Sequence, residues 1–87
     1  MKLNKRAIAG TMTSSDVMIE VIPWGKTSEI NIKSDVEKQY GDQILDLINS
    51  ILRENDVDNV CINVVDKGAL DFTISARLKT ALFRAAK

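Results

Sequence analysis

The sequence predicts an α+β fold in the order β-β-β-α-β-α, a four-stranded antiparallel or mixed sheet with two helices packed on one face. Three observations carry that prediction. Apolar, β-branched runs crowd the first third of the chain and recur once, over residues 57–65. Two later stretches repeat apolar residues at three- and four-residue steps, the period of an amphipathic helix. Strands first and helices late favour helices segregated to one sheet face. Four strands under two helices bury a face that an isolated hairpin leaves wet.

Residues 1–6 are polar and are expected to be frayed or paired along an edge. Ala7-Ile8-Ala9 reads as a first strand. Gly10-Thr11-Met12-Thr13-Ser14-Ser15-Asp16 is a loop of short polar side chains, rich in hydroxyls. It turns the chain into a second strand over residues 17–22, with Val17, Ile19 and Val21 on one face. Pro23-Trp24-Gly25-Lys26-Thr27-Ser28 is turn chemistry, and Trp24 beside it either lids the core or anchors a partner. Glu29-Ile30-Asn31-Ile32-Lys33 alternates as a third strand.

Ser34-Asp35-Val36-Glu37 has the pattern of a capping box. It opens a helix whose apolar stripe is Val36, Tyr40, Ile44, Leu47, Ile48, Ile51 and Leu52. Gly41 costs that helix about 1 kcal/mol relative to alanine, and Asn55 and Asp56 end it. The fourth strand is expected over residues 57–65, with Val60, Ile62 and Val64 facing inward, and Asp66-Lys67-Gly68 as the turn after it. Leu70, Ile74, Leu78, Ala81, Leu82 and Ala85 mark the second helix, which either Asp66 or Asp71 could cap.

Composition narrows the function. Eighty-seven residues predict one domain, spanning 1–87. A chain of this size buries roughly 60% of its unfolded surface, enough for one modest core. Twelve basic residues balance twelve acidic ones, which argues against a nucleic-acid partner. The basic residues gather at the ends and the acidic ones in the middle, as solvated helix faces do. There is no histidine, and so neither the commonest general base nor the commonest metal ligand. Cys61 is the one cysteine; it lies in an apolar run and is expected to be buried and structural. Neither a signal-peptide core nor a membrane-spanning stretch is legible, so the expected location is the cytoplasm. No catalytic or metal constellation can be assembled. Asp16, Asp66 and Asp71 could in principle share a site, yet each has a plainer role in a turn or cap.

What remains is the hydroxyl-rich loop. Its side chains could simply bond their own backbone in a hairpin turn. However, residues 7–19, Ala7-Ile8-Ala9-Gly10-Thr11-Met12-Thr13-Ser14-Ser15-Asp16-Val17-Met18-Ile19, resemble the N-terminal signature of the citrate lyase acyl carrier protein family, the gamma subunit of that complex. Ser34-Asp35-Val36-Glu37-Lys38-Gln39-Tyr40-Gly41-Asp42 is also similar. So is Val64-Val65-Asp66-Lys67-Gly68-Ala69-Leu70-Asp71, with Ala76-Arg77-Leu78 after it. The resemblance covers nearly the whole chain.

In that family a serine four residues after the glycine carries a phosphoribosyl-dephospho-CoA group through a phosphodiester, which implies Ser14 here. Thr13 departs from the pattern, standing where an acidic residue is common, and Ser15 adds a second candidate hydroxyl. The resemblance implies a non-catalytic carrier with three kinds of partner: the alpha (acyl transferase) subunit, the beta (citryl lyase) subunit and a prosthetic-group attachment enzyme. On that expectation the arm's thiol holds acetyl as a thioester, the transferase exchanges acetyl for citrate, and the lyase releases oxaloacetate. The competing expectation is an unmodified interaction or regulatory module that binds through a sheet edge or Trp24.

Overall fold

The computed structural model describes residues 1–34 and 38–87. Its elements follow the predicted order: β1 (Ala7–Gly10), β2 (Val17–Pro23), β3 (Glu29–Ser34), α1 (Lys38–Glu54), β4 (Val60–Asp66) and α2 (Asp71–Ala85). The strands lie in the order β1-β2-β4-β3. β1 and β4 both run antiparallel to β2, whereas β3 is parallel to β4. The sheet is therefore mixed, and α1 supplies the crossover that parallel neighbours require.

Register converts the alternating pattern into two apolar rows across all four strands. Ala9, Ile19, Val64 and Ile32 form one; Ala7, Val21, Ile62 and Ile30 form the next. Ile44, Ile48, Ile51 and Leu52 of α1 and Ile74, Leu78, Ala81, Leu82 and Ala85 of α2 close over them in a single core. Each fully buried Ile or Leu contributes about 1.5–3 kcal/mol of transfer free energy. The opposite face is polar along its middle. Asn63 donates to Glu20 Oε1 at 2.9 Å, Asn31 donates to Asn63 Oδ1 at 2.9 Å, and Arg6 pairs with Glu20. The Asn63 bond, then Arg6, holds the Glu20 carboxyl below its ordinary range. Cys61 is buried, and loss of water pushes its thiol up.

Four expectations are corrected. β4 begins at Val60, not Val57. α1 ends with Asp56 at φ 51°, the Asp56 N–H on Arg53 O and the Val57 N–H on Leu52 O. These are the paired bonds of a Schellman cap, and the buried Val57 is its apolar residue rather than the start of a strand. Asp66 belongs to β4 and does not cap α2. Its Oδ1 accepts from the Gly68 and Ala69 N–H groups and its Oδ2 from the Ser34 hydroxyl. Nor does Asp71 cap it: the N-cap is Leu70, with no side-chain bond, and Asp71 lies in the first turn, where its charge suits the helix dipole. Residues 1–6 are neither frayed nor edge-paired throughout: the Asn4 and Lys5 N–H groups bond Ala85 O, and the Asn4 side chain bonds Ala86 O, satisfying carbonyls at the end of α2. The capping box falls largely on residues 35–37, outside the described residues, as do the side chains of Val36 and Tyr40.

Candidate functional site

The hydroxyl loop joins β1 to β2 at the end of the sheet where β4 finishes. Gly10 opens it at φ 97°, where a Cβ would stand 1.8 Å from Val17 O; no side chain fits between the two strands there. Ser15 takes the left-handed conformation, φ 67°. That conformation costs a non-glycine residue about 1–2 kcal/mol and persists where neighbours fix it. Here the Ser15 N–H bonds Lys67 O at 2.7 Å and the Lys67 N–H bonds Asp16 O at 2.9 Å, extending the β2–β4 pairing past Val17. The Asp16 N–H closes the turn onto Thr13 O at 3.1 Å.

Asp16 is the hub. Its Oδ1 accepts from the Val17 N–H (2.7 Å) and Arg77 Nε (3.2 Å), and its Oδ2 from the Thr11 hydroxyl (2.6 Å) and Arg77 Nη2 (3.0 Å). A carboxylate has about four lone-pair sites, and all are taken. Thr11 and then Arg77 hold this carboxyl down to a pKa of about 2. Asp16 is thus an anion at neutral pH, and the Thr11 hydroxyl must spend its proton on it. It follows that the 2.8 Å contact between the Thr11 and Thr13 hydroxyls has Thr13 as donor. The Thr13 N–H also reaches Thr11 Oγ1.

Two of the four hydroxyls are consequently committed. Those of Ser14 and Ser15 have no hydrogen-bond partner among the described residues, and both residues are exposed. Asp16 does not share a site with Asp66 or Asp71. Asp66 Oδ1 is occupied by the turn after β4 and Oδ2 by the Ser34 hydroxyl, and Asp71 is exposed at the start of α2. Among the described residues no group of three or more His, Cys, Asp or Glu is placed to hold a metal ion, and no helix is long and apolar enough to cross a membrane. Trp24 lies at the far end of β2, half-buried, with Nε1 on Thr27 O and Lys26 Nζ 5.6 Å above its ring. The seven residues of β2, at about 3.3 Å each, separate it from the loop by roughly 20 Å.

Residues 4–85 match the acyl carrier family model described as the malonate decarboxylase delta subunit (MdcD). The citrate lyase acyl carrier protein of Halothermothrix orenii is 48% identical over 87 residues, 100% of this chain and 93% of that protein. The protein of the same name from Latilactobacillus sakei is 49% identical, over 97% of this chain and 83% of that one. That from Haemophilus ducreyi is 46% identical, over 98% and 88%. The chain belongs to the citrate lyase acyl carrier protein family. Its role is that of a carrier rather than a catalyst, which accords with a loop whose acid is saturated and whose free groups are hydroxyls.

Sequence reasoning missed Arg77 as part of this carrier's loop. An anionic Asp16 beside a turn calls for a cation, but the sequence offers twelve. Only the packing of α2 against β1 and β2 selects the one that lies beside the buried stripe of Ile74 and Leu78.

Proposed function

We propose that Ser14 is the covalent attachment point of a phosphoribosyl-dephospho-CoA arm, joined through a phosphodiester. The chain would serve as the cytoplasmic acyl carrier of a citrate lyase complex, between an acyl transferase subunit and a citryl lyase subunit. One observation carries this reading: Thr11 and Thr13 spend their hydroxyls around Asp16, while Ser14 stands exposed, with no hydrogen-bond partner among the described residues, on the same braced turn. The family spacing, four residues after Gly10, selects it over Ser15.

The surrounding residues fit such a group. An exposed hydroxyl leaves a bulky arm room to depart from the surface. Asp16, two residues away, is paired with Arg77, so the added phosphodiester charge does not face an uncompensated carboxylate. When attached, the arm supplies a thiol on which acyl groups ride as thioesters. The chain's own residues hold its root: Ser15 is fixed to Lys67, Asp16 to Arg77 and Thr11, and β1 to β2. A rigid root with a long tether raises the local concentration of the carried group at each partner site.

Intact-mass analysis of the protein purified with its complex from a citrate-grown host tests this. The carrier should show the mass increment of one phosphoribosyl-dephospho-CoA group. Ser14→Ala should lose it and Ser15→Ala retain it. The increment persisting in Ser14→Ala would refute the assignment.

A further inference from the structure

The carrier's loop is gripped by a residue from the far end of the sequence, and Ser14 lies inside the gripped segment. We propose that Arg77 is a positioning residue: acting through Asp16 and Thr11, it holds residues 11–16 in the conformation that presents the Ser14 hydroxyl to the attaching enzyme. Arg77 has this role only if Ser14 is the attachment point.

The geometry is specific. Arg77 meets Asp16 as a fork, Nε on one carboxylate oxygen and Nη2 on the other. A lysine ammonium, a point donor, does not reproduce that arrangement. Asp16 passes the constraint on through its side-chain bond to Thr11, and Thr11 passes it to Thr13. Ser14 is therefore bracketed by residues tied to α2 on one side and to Lys67 on the other. The Arg77 side chain is 41% exposed and that of Asp16 13%, so solvent screens the pair and its weight in global stability is small. Its effect is to order the loop, and a nucleophile held in place before encounter reacts faster than one that must first be ordered.

The same pair sets the charge at the site. In the attachment step the Ser14 Oγ–phosphorus bond forms, the phosphorus–oxygen bond of an activated phosphoric anhydride of the arm breaks, the displaced phosphate portion of that anhydride leaves as a free inorganic anion, and the hydroxyl proton passes to a base of the attaching enzyme. The incoming donor is strongly anionic. Without Arg77 it would approach an uncompensated Asp16 carboxylate as well as a looser loop.

The test is a time course of intact mass, using the full-length carrier, the native attachment enzyme and its activated phosphoribosyl-dephospho-CoA donor. Arg77→Gln is expected to melt within about 5 °C of wild type and to load at least about tenfold more slowly. Its Ser15 amide should exchange faster while sheet amides such as that of Ile19 keep their protection. Asp16→Asn should slow loading similarly, and the double variant should be no slower than either single one, as expected for a coupled pair. Arg77→Lys should recover part of the rate. Wild-type loading with Arg77→Gln equally fast, or unchanged Ser15 exchange, overturns the role of Arg77 and leaves the attachment site standing. Wild type gaining no group on Ser14 overturns both. Should Arg77→Gln fail to fold, Arg77→Lys carries the test. Several-fold slower loading at unchanged melting temperature supports the role, and wild-type loading overturns it.

Discussion

Gly10→Ala is expected to destabilise the carrier more than any other single-methyl addition in the loop. At φ 97° the backbone lies outside the regions open to L-residues, which costs about 1–2 kcal/mol by itself. The added Cβ would stand 1.8 Å from Val17 O, against a floor of 3.0 Å for real contacts, so the two backbones must part by at least 3.0 − 1.8 = 1.2 Å. Gly10 pairs with Met18, and Val17 with Asp66. Such a displacement takes hydrogen bonds from that end of the sheet, at about 1 kcal/mol each. The sum is about 3 kcal/mol, a fall in melting temperature of about 12–24 °C for a domain of this size. Thermal unfolding followed by circular dichroism measures it. Gly25→Ala is the control: a Cβ there meets nothing within 4 Å, and the change should stay within about 0.5 kcal/mol. A Gly10→Ala variant melting within about 4 °C of wild type would show that the strand ends yield freely, and the argument that Gly10 fixes the loop would fail.

Other outcomes follow from the same contacts. Leu78→Ala, in a fully buried position under the sheet, should lose about 2–5 kcal/mol in urea unfolding. Asp16 has a folded pKa of about 2 against about 3.9 in an unfolded chain. Between these values the unfolded state binds more protons, so its stabilising effect is complete above about pH 4 and is lost as pH falls towards 2. Glu20 is shifted in the same direction, so the contribution of Asp16 should be read as the difference between wild-type and Asp16→Asn melting curves across that window. Cys61, buried with its thiol pushed up, should resist alkylation at pH 8 until urea unfolds the chain. If Ser14 carries the proposed thiol arm, the folded, loaded carrier should show a single reactive thiol, that of the arm, and Ser14→Ala none.

The strands and helices were legible because their signals are local. Val17, Ile19 and Val21 alternate, and Ile44, Ile48, Ile51 and Leu52 recur at helical steps, and each pattern fixes its own buried face. The sheet order was not legible. Nothing within residues 29–33 says that they lie parallel to β4 and two places from β2. The ends of elements failed where an atypical residue took a special backbone position: Asp56 and Asn59 both have positive φ, a role composition assigns first to glycine. Asp66 read as a turn or cap residue by type, whereas it sits at the last position of β4, with Oδ1 on the turn N–H groups and Oδ2 on the Ser34 hydroxyl. Within the candidate site, the proposal of Ser14 rests on family spacing, and the hydroxyl-rich loop was readable from its residue types. The grip of Arg77 was not, because it spans 61 positions and depends on where α2 lies.

The loop also bears on why a carrier needs so little chemistry of its own. A serine hydroxyl is a weak nucleophile until a base takes its proton. The chain has no histidine, and the acid nearest in sequence to Ser14, Asp16, is spent. Four donors fill its lone pairs, and a pKa of about 2 leaves it almost no affinity for a proton at neutral pH. The contacts that hold the Ser14 loop in place thus also withhold the means of activating it. On this view Asp16 is not the base for a reaction at Ser14, and a base brought by the attaching enzyme fits the loop better. A phosphodiester formed there would then stand beside an Asp16 carboxylate whose lone pairs are already filled and which offers no help to its hydrolysis.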